Sequence, residues 1–342
     1  MNTLRLGGAV RLRYHPRSVA VTTVLLAAAA VILVLEVGTG DLPIAPTHVI
    51  KTIFGYGTAA DHFIVVTLRL PRAVAAALVG VALGASGAAF QSLSRNPLGS
   101  PDIIGFTTGA ATGAVLVIVV WHGTQVEVAL GALVGCLATV ALVYLLAYRK
   151  GVQGFRLVLV GIGIGSVLTS INSYLLLRAN IEEAQQAYVW LTGSLNGRTW
   201  DQVRPLAVAV LVLLPALAAL GRRMRMLEMG DDAAKALGIR VEASRLWLIL
   251  LATGLTAVAV AAAGPIAFVG LAAPQIARRL VGTAGAGVLP AAATGALLLL
   301  AGDLLAQRLF TSTPLPVGVV TVCLGGIYLG WLIVREYRSN HG

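Results

Sequence analysis

An all-α integral membrane protein is the fold class this sequence predicts, and three observations predict it. Hydrophobic residues make up 58% of the 342-residue chain and charged residues 11%, with a mean hydropathy of +0.88, so a soluble core would leave too little polar surface to cover itself. The apolar runs are unbroken rather than alternating, which selects helices over a closed barrel. Stretches without Asp, Glu, Lys or Arg also recur at the length a spanning helix needs, roughly 17 to 25 residues.

Nine such stretches follow one another, at 18–35, 73–94, 103–126, 128–148, 157–177, 205–221, 246–277, 280–302 and 309–334. The first continues through Leu35 and is long enough to anchor, which favours a span over a cleaved leader. The seventh is too long for one span and contains Gly264-Pro265, where a helix breaks. Split there, it gives one full helix and one short one, so about ten transmembrane helices are expected and both termini share a side. Of the 25 Lys and Arg residues, 18 fall on that side, the pair Arg149-Lys150 among them. The other 7 are Lys51, Arg69, Arg72, Arg178, Arg198, Arg204 and Arg308. The positive-inside rule then makes both termini cytoplasmic. The net charge of +11 follows from this bias and from contact with membrane lipids, without nucleic acid as a partner. The chain reads as a single polytopic domain over 1–342, with a cytoplasmic loop at 222–245 inside it.

Several polar features stand out from this background. Between the sixth and seventh spans, "EMGDDAAKALGIR" starts a short helix at Asp231-Asp232 and stops it at Gly238. Too polar for the bilayer, it reads either as a solvated loop or as a handle for a soluble partner. Arg69 and Arg72 flank Pro71 at the start of the second span; Pro suits a first helical position, but two cations there oppose the helix dipole. They read as headgroup anchors or as serving something other than the helix itself. In "NPLGSPD", Pro97 and Pro101 forbid a continuous helix, so the segment reads as a turn between spans. Gly161, Gly163 and Gly165 keep one span narrow, either to widen a pathway or to let helices pack closely. Cys136 and Cys323 lie inside spans and read as small packing residues. The five histidines are scattered without ligand spacing, and no metal site is expected. Asp303, at a span edge, comes nearest to an intramembrane charge, so an ion-coupled relay has little to build on. The chain contains no G-x-x-x-x-G-K-[ST] run that would cradle ATP phosphates.

The run "RLPRAVAAALVGVALGASGAAFQSLSRNPLGSPDIIGFTTGAATGAV", with "EMGDDAAKALGI", "AGPIAFVGLAAPQIAR" and "LPVGVVTVCLGGIYL" after it, resembles the permeases of binding-protein-dependent ABC importers for iron siderophores, haem and vitamin B12. That resemblance implies the type II importer architecture in the cytoplasmic (inner) membrane of a prokaryote, and a catecholate-like ferric siderophore as cargo. It implies a second permease subunit, alike or identical, two ATPase subunits and an extracytoplasmic siderophore-binding protein. ATP and Mg would belong to the ATPases, leaving this chain without cofactor or enzymatic activity. Glu228, Asp231, Asp232, Lys235, Leu237 and Gly238 would form the coupling helix. Arg69 and Arg72 would meet the binding protein, with Arg308 as a third contact although Gln307 occupies the family's arginine position. Asn96 and Leu98 would gate a pathway lined by Gly161, Gly163 and Gly165. A vitamin B12 or haem permease, or an autonomous ion-coupled carrier, are the alternative readings.

Overall fold

The structure, a computed structural model, describes residues 2–6, 10–14, 16–40, 42–148, 154–282, 285, 287–309 and 315–341, with side chains between 16 and 331. Arg149 and Lys150 lie outside the described residues. Two short strands, β1 (Asn2–Leu6) and β2 (Val10–Tyr14), pair antiparallel ahead of the helices. The helices are α1 (Pro16–Gly38), α2 (Pro46–Ile53), α3 (Ala59–Ser94), α4 (Phe106–Val120) and α5 (Gln125–Ala147). They continue with α6 (Gly154–Arg178), α7 (Ile181–Leu191), α8 (Trp200–Ala219), α9 (Gly221–Glu228) and α10 (Asp231–Ala236). Last come α11 (Val241–Ala263), α12 (Val269–Val281), α13 (Val288–Leu309) and α14 (Val317–His341).

Among the described residues, seven helices are long and apolar enough to cross a membrane: α1, α3, α5, α6, α8, α11 and α13. α4 and the Val317–Trp331 part of α14 are shorter apolar helices. The long seventh stretch breaks where Gly264-Pro265 predicts, with Gly264 at φ 74° ending α11 and the short α12 starting after it.

The second span departs from expectation. Helix α3 begins at Thr58, whose hydroxyl caps the Asp61 amide in a reciprocal capping box. It widens to a π turn over Phe63–Arg69 and continues to Ser94, so Pro71 lies inside a 36-residue helix. The wider π turn accommodates both the missing N–H and the ring.

Helix α3 is the centre of the bundle, and its small residues let backbones meet. A Cβ on Gly80 or Gly84 would overlap Gly295 or Ala291 of α13, and one on Gly87 would overlap the Gly270 carbonyl of α12. Gly109 and Gly113 of α4 meet Gly131 and Gly135 of α5 in the same way. Van der Waals contact at this distance is what holds helices together where the solvent is itself apolar. By contrast α1, α6 and α8 leave most of their apolar surface outside the bundle, facing lipid or another chain.

Two further expectations change. Cys136 is buried in α5, but Cys323 is exposed on α14, because it shares a 3.6-residue stripe with the exposed Val319, Val322 and Ile327. The 222–245 loop holds two helices rather than one. Met224 and Leu227 of α9 are buried while Arg222, Arg223 and Arg225 face outward, an amphipathic turn that the arginines conceal in the sequence.

Candidate functional site

Polar machinery gathers at the two ends of the bundle. At one end, Gly230 (φ 115°) turns the chain from α9 into α10. Helix α10 buries Ala234 and turns Asp231 inward, while Asp232, Ala233, Lys235 and Ala236 face solvent with Leu237 just beyond, 57% exposed. Gly238 (φ 79°) donates its N–H to the Lys235 carbonyl at 2.9 Å and closes the exit. Glu228 lies against Gly285. The six residues assigned to coupling therefore divide: Asp232, Lys235, Leu237 and Gly238 present an outer face, while Asp231 and the half-buried Glu228 are turned toward the rest of the chain.

Asp231 is clasped by two arginines. Arg95 Nη2 donates to Oδ1 at 2.5 Å and Arg245 Nη2 to both carboxylate oxygens at 3.0 Å. Arg245, at the start of α11, also pairs with Glu242 at 3.0 Å. Burial pushes the Asp231 carboxyl up, but the hydrogen bonds and charges of Arg245 and Arg95 outweigh it and hold it below the usual carboxylate range.

Arg95 ends α3. It adopts the left-handed region at φ 50°, and the Asn96 N–H returns to the Gln91 carbonyl at 3.2 Å, the Schellman arrangement with an arginine where glycine is usual. The Asn96 side-chain carbonyl then accepts the Leu98 N–H at 2.9 Å, and Gln275 of α12 donates to the Pro97 carbonyl at 2.8 Å. Asn96 and Leu98 themselves are exposed, at the tip of a turn whose backbone is anchored on both sides.

In the same turn lies Asp102, which sequence reasoning passed over. Its carboxyl lies beside the Phe268 backbone and the Thr107 side chain, and its Oδ1 is buried without a partner among the described residues. It borders a cavity of about 340 Å³ walled by Ile103, Gly105, Thr108, Ile162, Gly165, Ser166 and Thr169. The three glycines of α6 separate here. Gly161 is pressed against the Ile104 backbone, Gly165 stands opposite Gly105 at the cavity wall, and Gly163 has nothing within 4 Å of where a Cβ would be.

At the other end, Arg72 binds Asp303 in a two-pronged pair, Nε to Oδ2 at 2.7 Å and Nη2 to Oδ1 at 2.9 Å. Gln307 donates to the same carboxylate at 3.1 Å. Asp303 is fully buried, and the buried Glu36 beside it has both carboxylate oxygens without a partner among the described residues. Arg69 donates to the Val37 and Leu42 carbonyls at 3.1 and 2.8 Å, and Arg308 to the Thr39 hydroxyl at 3.0 Å. Gln307 and Arg308 point different ways, as residues about 100° apart on a helix must. Glu36, Thr39, Arg69, Arg72 and Gln307 surround a cavity of about 410 Å³. Because α3 starts at Ala59, Arg69 and Arg72 lie well inside it rather than at its positive end, and both are bonded within the chain. Glu36 was missed because it only ends an apolar run, and Arg72–Asp303 joins residues 231 positions apart, a pairing with no local signature.

Among the described residues, no three His, Cys, Asp or Glu side chains are grouped to hold a metal ion. Apolar helices packed through glycine, with charged residues gathered at the ends, define a multi-pass membrane protein. Residues 26–335 match the FecCD transport family. The chain belongs to that family, which makes it an iron-siderophore ABC permease subunit and not an enzyme. It is 49% identical over 328 residues to the Ferric enterobactin transport system permease protein FepG of Escherichia coli (strain K12), covering 96% of this chain and 99% of the relative. It is 37% identical to the Fe(3+) dicitrate transport system permease protein FecD of the same organism, over 80% of this chain and 86% of the relative. A solved metal-chelate type ABC transporter in an inward-facing conformation superposes with a TM-score of 0.83 at 27% identity, covering 92% of this chain and 99% of that one.

Proposed function

We propose that this permease carries a catecholate-type ferric siderophore across the cytoplasmic membrane of a prokaryote, driven by ATP hydrolysis in partner subunits. Identity of 49% to a ferric enterobactin permease along 96% of the chain carries the cargo assignment. In this reading ten spans leave both termini in the cytoplasm and the chain pairs with a second permease. Two ATPases, which bind ATP and Mg, meet the exposed face of α10 made by Asp232, Lys235 and Leu237. A siderophore-binding protein docks at the opposite end, around Arg69, Arg72 and Arg308. Nucleotide-driven movement of α10 opens or closes the turn at Asn96 and Leu98, an alternating-access cycle. Gly163 and Gly165 face the route, where small side chains leave room for a bulky solute, and Gly161 supports the wall.

Similarity to FecD favours one further cargo, ferric dicitrate. Co-expression with the neighbouring permease, ATPase and binding-protein genes, followed by affinity purification and vesicle uptake of ferric enterobactin against ferric dicitrate, separates the two. ATP-dependent uptake of the catecholate complex by a stable assembly is expected. Asp232→Lys, fully exposed on α10, is expected to cut ATPase recovery at least tenfold. Uptake of only the dicitrate reassigns the cargo, and uptake on an ion gradient by the chain alone overturns the importer reading.

A further inference from the structure

The clasp around Asp231 joins three parts of the chain that are far apart in sequence. Asp231 opens α10, Arg245 lies near the start of α11, and Arg95 ends α3 one residue before Asn96. Arg245 ties α10 to the helix that follows it. Arg95 alone in this clasp reaches from α10 to the turn 96–105, and it is held at both ends: its Nη2 takes Asp231 at 2.5 Å, its Nε takes the Leu227 carbonyl of α9 at 2.9 Å, and its backbone is the left-handed closure of α3. The backbone is held by the helix closure and the side chain by its bonds to Leu227 and Asp231, so the two ends of the residue are tied to different elements.

The far side of the turn is equally constrained. Gln275 of α12 donates to the Pro97 carbonyl, and Asp102 lies beside the backbone of Phe268, itself at φ 68°. The turn between these anchors has few independent ways to move. A displacement of α9 and α10 relative to α12 must be absorbed between Arg95 and Asp102, the stretch that contains Asn96 and Leu98.

We propose that Arg95 is the strut that transmits movement of α10 to the Asn96–Leu98 turn, a positioning residue for transport that touches neither cargo nor ATP. The proposal rests on α10 being the ATPase contact, and its test keeps the two apart. In the assembled transporter in proteoliposomes, Arg95→Gln retains ATPase recovery and basal ATP hydrolysis within about twofold of the parent while uptake falls at least tenfold, so ATP consumed per siderophore rises by about that factor. Arg95→Lys, which keeps a cation but reaches only one of the two partners, recovers part of the coupling. Arg245→Gln, which frees α10 from α11, lowers ATPase recovery and uptake together with ATP per siderophore unchanged.

Arg95→Gln with unchanged ATP per siderophore overturns the strut. So does Arg95→Gln losing ATPase recovery in proportion to uptake, because Arg95 would then only stabilise the loop. Failure of the unmodified permease to retain the ATPase overturns the coupling role of α10 and the strut with it.

Discussion

Asp231 and Asp232 are adjacent and of one charge type, yet they sit in opposite settings. Asp232 is fully exposed beside Lys235, an exposed pair at 3.8 Å worth little to stability. Asp231 is pinned between two guanidiniums, so removing one arginine leaves it bonded to the other alone. The titration follows from this. A carboxyl whose folded-state pKa lies below its ordinary value of 3.8 contributes stability that is present above that value and lost as pH falls through the lower folded one. A spin label on Lys235→Cys should therefore report an α10 whose mobility is constant from about pH 8 to about pH 5 and rises only below about pH 4. Mobility that grows between pH 7 and pH 5 would show that the clasp does not hold the helix. This division between neighbours is not written in "EMGDDAAKALG". The sequence marks both acids as a helix start, and only the return of Arg95 and Arg245 tells them apart.

At the scale of helices, glycine decides which surfaces meet. Alanine or valine at Gly87 would force α3 away from the Gly270 backbone of α12, and overpacking of a close helix contact costs typically 1–3 kcal/mol. Gly87→Val is expected to lower the thermal unfolding midpoint in detergent and the yield of monodisperse protein, whereas Gly163→Ala, with open space around it, should change stability by less than about 0.5 kcal/mol. Equal losses at both positions would mean that α6 is packed as tightly as α3. The spans themselves were legible because unbroken hydropathy is a local property, and so was the break at Gly264-Pro265. The start of α3 was not, since a π turn lets Pro71 sit within a helix instead of opening one. Nor was α9, whose two buried side chains are outnumbered by arginines. The glycines of "LVLVGIGIGS" could be read from sequence as packing or pathway, and neither answer covers all three, because each faces a different neighbour.

For the whole molecule, the number of crossings fixes where the ends lie. Helix α4, with 15 residues, rises about 22 Å, and α12, with 13, about 20 Å; neither alone spans a hydrocarbon core of roughly 30 Å. Each is preceded by non-helical chain, 95–105 before α4 and 264–268 before α12. Irregular backbone is tolerated at membrane depth only where protein covers it, and here α12 covers the first segment through the Gln275 to Pro97 bond, with Asp102 beside the Phe268 backbone. On the proposed reading both short helices, extended by their turns, count as crossings and bring the total to ten. If α12 alone stopped short, the count would be odd and the termini would lie on opposite sides. Cysteines placed at the exposed Asp232 and Arg308 in a Cys323→Ser background decide this with a membrane-impermeant maleimide. Arg308→Cys should label in spheroplasts, and Asp232→Cys, like a cysteine at the C-terminal His341, only after the membrane is opened. Labelling of the His341 position from outside, with Asp232 still protected, would remove one of the crossings after α10 and with it the shared cytoplasmic side of the two termini.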